Sequence, residues 1–343
     1  MDGKRAGQFL DLAREAEPQL TRAEADAWLD RLERERDGIH AAIEWYVANG
    51  NGDHAVALAG AIWQFWLVRG HLGEGRDLLT SALAAPHSDR SSTSRATALR
   101  GAGMLAFRQG DNDAAEALFR SSVEEARRAG DRRHLAVLSA DLARVALRRS
   151  DFAAVRRHAE EGRALARELG DRAAERGPLH LLAAVARMEG DLPRARALYH
   201  ESIALNREIG FLANVAVELH NLAYIELHTG NTSAARDLFR QSLEWAWPNR
   251  DMYLLPYSLA DFAIVAVAEG RHARATRLLG ASDALFRSTG AVPDPDDRVE
   301  IDRALERVRS NLSPDEFQRQ WAAGAELGLG DAVDLALERV DAA

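Results

Sequence analysis

The chain has 343 residues, of which 47% are hydrophobic, 28% charged and 6% aromatic, with a net charge of -9. The length fits about two ordinary domains or one elongated repeat domain, and the apolar fraction excludes a disordered chain. No uncharged apolar run reaches the ~18 residues of a spanning helix, no secretory leader is visible, and the absence of cysteine excludes disulfides, thiolate nucleophiles and Cys-ligated metals.

An acidic chain is poorly suited to neutralising phosphates, so direct nucleic-acid binding is not expected. A cytoplasmic location without membrane contact is the natural expectation. Met1 slightly favours a stand-alone protein, and the fragment reading stays open.

In chain order, residues 1–53 read as an N-terminal helical cap, with helices in WLDRLERERDGI (28–39) and AAIEWYVANG (41–50). Residues 54–93 form a divergent first repeat with Trp63 and Trp66, closed by the polar connector PHSDRSSTS (86–94). Both tryptophans are expected in the core; Trp245 and Trp247 flank Pro248 at a helix end.

Residues 95–294 then repeat five times with a period of 40. Gly70, Gly110, Gly190, Gly230 and Gly270 fall on that period, and Ser150 takes the place once. Asp111, Asp151, Asp191 and Asn231 follow as expected N-caps. A second glycine column runs through Gly130, Gly170, Gly210 and Gly290. Between the columns, apolar residues recur at helical spacing, as in VAVELHNLAYIELHTG (215–230), and a second helix is predicted over about 232–247.

Each unit is therefore a pair of helices. Ala143, Ala183, Ala223 and Ala263, with Gly103, form a small-residue column in the first helix. Ala115, Ala195, Ala235 and Ala275 form its partner in the second, and Phe119, Tyr199 and Phe239 fill the space between. One pair cannot bury its apolar face alone, so the pairs must stack. AVPDPDD ends the pattern after Gly290, and 295–343 reads as a helical cap with a helix start at Ser313-Pro314-Asp315-Glu316.

The pattern N-L-A-x-I-x-x-x-x-G-N (221–231), with Ala235 and Phe239, resembles the tetratricopeptide repeat in a lengthened form. The segments 27–45, 58–83, 273–291 and 317–337 resemble the tetratricopeptide region of large LuxR-type, AfsR-like ATP-dependent bacterial regulators. The resemblance covers roughly residues 8–340. It implies an all-α right-handed superhelix that receives a signal by binding a ligand or protein in its concave groove. No G-x-x-x-x-G-K-[ST] loop is present, so nucleotide binding by that route is excluded, and no cofactor motif is visible.

The resemblance also implies that first helices line the groove. The stripe they present holds Arg100, Arg108, Arg144, Arg148, His180, His220, Tyr224, His228 and Tyr257, with no carboxylate of its own. Arginine forks suit carboxylate or phosphate, so a small anionic ligand or an acidic protein or peptide is the expected partner. A solvated polar groove with incidental arginines is the plain alternative. Beside the stripe lie Asp141, Asn221 and Asp261. Asn221 matches an asparagine that many such domains use to hold peptide backbone, while the aspartates are expected to pair with Arg144 or with neighbouring units.

Two further readings stay open. A cofactor-free acid–base enzyme would use His180, His220, Tyr224 and Asp141. A two-histidine metal site would need Asp141 or Asp261 as a third ligand, and no tight ligand spacing supports one. A pure scaffold is the remaining alternative. The oligomeric state is not readable.

Overall fold

The structure, a computed structural model, describes residues 1–20, 25–86, 88 and 92–339. Part of the expected polar connector and the last four residues lie outside them. The described residues form 19 α-helices and no strand. None of these helices is long and apolar enough to cross a membrane.

Helices α1 (Gly3–Ala16), α2 (Ala25–Arg34) and α3 (Arg36–Ala48) precede the repeats. The α2/α3 break falls at Glu35, earlier than the sequence suggests, and α3 runs unbroken through Gly38. The divergent unit is α4 (Gly52–Ala61), α5 (Trp63–Arg69) and α6 (Leu72–Ala84), its first helix interrupted at Ile62. Trp66 and Trp63 are buried there.

The five regular pairs follow: α7 (Thr93–Arg108) and α8 (Asn112–Ala129), α9 (Arg132–Arg148) and α10 (Phe152–Glu168), α11 (Arg176–Met188) and α12 (Leu192–Glu208), α13 (Leu212–His228) and α14 (Thr232–Ala246), α15 (Leu255–Ala268) and α16 (His272–Thr289). The second helices start at 112, 152, 192, 232 and 272, in step with the 40-residue period. The cap is α17 (Pro295–Asn311), α18 (Pro314–Ala325) and α19 (Leu329–Ala336). These hairpins make the fold all-α and of the tetratricopeptide, solenoid-like class.

One turn serves every pair. The N–H of Gly110 returns to Phe107 and that of Asp111 to Ala106; the same two bonds recur at Ser150/Asp151, Gly190/Asp191, Gly230/Asn231 and Gly270/Arg271. This closure needs a left-handed residue, so the column carries glycine, with φ of 82°, 82°, 84° and 74° at Gly110, Gly190, Gly230 and Gly270. Ser150 adopts the same region at φ 57°. Asp111, Asp151 and Asp191 then cap the next helix through side-chain oxygens. Asn231 does not: its amide donates to Glu226 and Thr229 instead.

The chain divides into two compact units, Met1–Val185 with Leu205–Leu212, and Ala186–Ala204 with Ala213–Ala343. In the first unit α7 packs on α8 and α9 on α10; in the second α15 packs on α16, which α18 covers. The small-residue columns at Ala115, Ala143, Ala223, Ala235, Ala263 and Ala275 are fully buried, as are Phe119, Tyr199 and Phe239. Each such aromatic contributes about 1.5–3 kcal/mol of burial. Where α16 meets α18, a Cβ on Gly280 would lie 2.3 Å from the Trp321 carbonyl oxygen, so glycine lets two backbones touch.

Candidate functional site

The first helices carry two separate clusters of charged side chains. In the first unit, Arg100 of α7 donates through Nε to Asp141 of α9 at 2.5 Å. Asp141 is 1% exposed, and Arg144, one turn later, approaches its other oxygen at 3.8 Å. The Arg100 guanidinium also lies 5.1 Å from the centroid of the Trp63 ring. Arg148 stacks on Phe107 at 4.3 Å and donates to that residue's carbonyl. Stacking on aromatic faces holds the forks in place at little entropic cost. The side chains of Arg100 and Arg144 remain 20% and 25% exposed. Two cations therefore share one sealed carboxylate, and the surplus positive charge faces water.

The second cluster belongs to the second unit. His220 of α13 donates from Nδ1 to Asp261 of α15 at 2.7 Å and from Nε2 to Asp297 of α17 at 3.1 Å. Both ring nitrogens donate only in the imidazolium. Tyr224, one turn along α13, donates its hydroxyl to the other Asp261 oxygen at 2.7 Å. Arg187, at the end of α11, donates from Nη2 to Asp296 at 2.5 Å, lies 3.5 Å from Asp297 and covers the Tyr224 ring at 4.9 Å. His228 meets Glu300 at 3.1 Å, and the Tyr257 hydroxyl accepts from the Asp294 N–H. Arg187, His220, Asp261, Asp296 and Asp297 are all buried.

Burial and charge compete throughout this cluster. Burial pushes His220 down, but Asp261 and Asp297 outweigh it and hold the ring at about 10. Burial raises Asp261 in spite of His220. Burial would raise Asp297 too, yet His220 and Arg187 keep it below the usual carboxylate range. The Tyr224 phenol is pushed well up by burial and by the two aspartates. The result is a sealed network with an ionised histidine and a neutral tyrosine.

The expected site residues thus divide. Arg100, Asp141, Arg144 and Arg148 lie in the first unit, with the half-buried His180; His220, Tyr224, His228, Tyr257 and Asp261 lie in the second. The aspartates pair with cations, as expected. Asn221 is buried, and its amide donates back to the Val217 carbonyl of its own helix, so it is not presented to a peptide backbone.

The stripe has no carboxylate of its own, and α17 brings Asp297 and Glu300 against it from outside the repeats. Asp141 is engaged by Arg100 and Arg144, while His220 has no free lone pair with which to take a proton. Among the described residues no group of three or more His, Asp or Glu is placed to hold a metal ion; the two aspartates meet opposite sides of the His220 ring.

Arg187 was not among the candidates, yet a signal exists. It stands where the other units place Phe107, Leu147, Leu227 and Val267. An arginine in an apolar column needs a buried counter-charge. Asp296 and Asp297 lie outside the repeat, and no register points to them.

A family model described as the tetratricopeptide repeat matches residues 94–168 and 176–246. No curated protein matches the sequence. Among solved structures, a Rap protein complexed with competence and sporulation factor is similar, at TM-score 0.58 and 13% identity, covering 98% of this chain and 91% of that one. Aspartyl phosphate phosphatase F from Bacillus subtilis gives 0.57 and 10%, with 96% of each chain covered. NprR in complex with its cognate peptide NprX gives 0.52 and 11%, with 99% of each covered. At these identities the likeness is one of fold.

Proposed function

We propose that this chain is an interaction module that takes an acidic peptide, or a small anionic ligand, on its first-helix row. The observation that carries the reading is the pair Arg100 and Arg144. They share one carboxylate, stay partly exposed and are braced, at Arg100, by an indole face. A fork held in this way loses little entropy on meeting a ligand carboxylate. Two of the similar structures are, by their names, complexes with a factor or a peptide, which supports a peptide over a metabolite. We further infer a relation to the sensing region of LuxR-type, AfsR-like regulators from segments 27–45, 58–83, 273–291 and 317–337.

The test is fluorescence anisotropy of the full chain against labelled short peptides of graded acidity. Acidic members are expected to bind, and Arg100→Ala with Arg144→Ala to weaken them at least tenfold. Binding that ignores both substitutions, or that favours basic peptides, overturns the proposal. No observation favours the enzyme or bare-scaffold reading over this one.

A further inference from the structure

Helix α17 is attached in an unusual way. Its first two turns bury Asp296, Asp297 and Glu300, whereas its buried apolar anchors, Ala304 and Val308, come only in the later turns. A helix normally docks through an apolar stripe. Here the buried side chains of the first half are all carboxylates, and Ile301 is the hydrophobic residue of that half that packs, partly buried, on the core. The carboxylates meet basic side chains on two successive first helices: Arg187 of α11, then His220 and His228 of α13. Asp294, just ahead of the helix, adds a bond to Tyr257 of α15. The acids of one short segment therefore occupy a row of cationic and aromatic side chains, as an acidic ligand would.

The fit is incomplete. Both Asp296 and Asp297 approach the same amino group of Arg187, Nη2. Its other terminal nitrogen, Nη1, is buried without a hydrogen-bond acceptor among the described residues. A guanidinium is best satisfied by a bidentate carboxylate, and a buried donor left without an acceptor is destabilising. A free carboxylate approaching along the fork would satisfy both nitrogens. Buried ion pairs are in any case weak fasteners compared with apolar packing.

We propose that the first two turns of α17 are an intramolecular acidic ligand, seated on the second unit's cationic row and displaced by a peptide that presents spaced carboxylates. The site is then self-occupied at rest, and binding there is a competition rather than a simple association. This deepens the acidic-peptide reading and rests on it only for the competitor; the opening of α17 is measured with no ligand present.

Two measurements on the full chain decide the matter. Native-state hydrogen exchange should show amides 298–303 exchanging through a local opening, at denaturant concentrations where α15 and α16 stay protected. If 298–303 exchange only with global unfolding, α17 is a fixed part of the core and the proposal falls. In the second, a labelled peptide with the sequence of residues 291–309 is added in trans. It should bind Glu300→Gln or Asp296→Asn/Asp297→Asn chains at least tenfold more tightly than wild type. A peptide with its Asp and Glu replaced by Asn and Gln should not bind. Equal binding of the two peptides overturns the ligand assignment. Binding here that survives Arg100→Ala/Arg144→Ala separates this site from the one on the first unit, so either proposal can fail alone.

Discussion

The two charged clusters occupy the same register and have opposite characters. Arg100 meets Asp141 and His220 meets Asp261, each across a separation of 41 residues between successive first helices. In the first unit the pair lies at the edge of solvent with a surplus cation beside it. In the second, α17 covers the pair, and carboxylates outnumber cations. One position of the repeat thus yields a solvent-facing edge or a sealed network, according to what lies over it. Repeat register fixes which side chains meet; the covering element fixes the dielectric in which they meet.

The sharpest way to break this comparison is to remove one cation from each. His220→Ala leaves Asp261 and Asp297 buried without their shared partner, and is expected to cost about 3–5 kcal/mol in urea unfolding. Arg100→Ala leaves Arg144 near Asp141 and is expected to cost about 1–2 kcal/mol. Equal losses would mean that the two clusters are equally sealed.

The same contrast can be read through pH. The His220 ring is raised from 6.5 to about 10 in the folded chain. Its contribution is fully present below 6.5 and is lost as pH rises through about 10. The melting temperature should therefore fall across that interval, and His220→Asn should flatten the alkaline limb. On the acid side, Asp297 and Glu300 are depressed. Burial works against both, but His220 and Arg187 prevail at Asp297 and His228 at Glu300. Their contributions are present above about 4 and disappear as pH drops through their lowered values. A melting temperature flat from pH 6.5 to 10 would show that His220 is neutral in the folded state.

The smallest expected effect is local to the first unit. Ser150 holds a left-handed backbone that the other turns give to glycine. Ser150→Gly should stabilise the chain by about 0.5–1 kcal/mol, measured by thermal unfolding, with the alkaline limb unchanged. A destabilisation would mean that the serine side chain does more at that turn than occupy it.

Much of the fold is legible because a 40-residue period repeats several kinds of signal at once. The turn glycines, the capping aspartates and the alanine columns each fix helix ends or helix separations locally, and they agree. The candidate sites are legible in part, since His220, Tyr224 and Asp261 stand at first-helix positions that periodicity can index. Asp296 and Asp297 are not, because α17 follows the last repeat and its placement is decided by long-range charge. Asn221 misleads for another reason: a short amide in a helix can bond its own backbone four residues back, and nothing in the pattern distinguishes that from presentation to a partner.

The identical inter-helix turns carry a consequence for how such a chain can grow or shrink. Deleting residues 141–180 would join matching positions of two first helices, α9 and α11, and keep the period, yet it would set Leu181 opposite Arg100. Removing 221–260 would set Ile301, from beyond the last turn, at the place Asp261 holds against His220. The hairpins are interchangeable as shapes and not as electrostatic neighbours, so recombination within this array is restricted to exchanges that carry acid and base together.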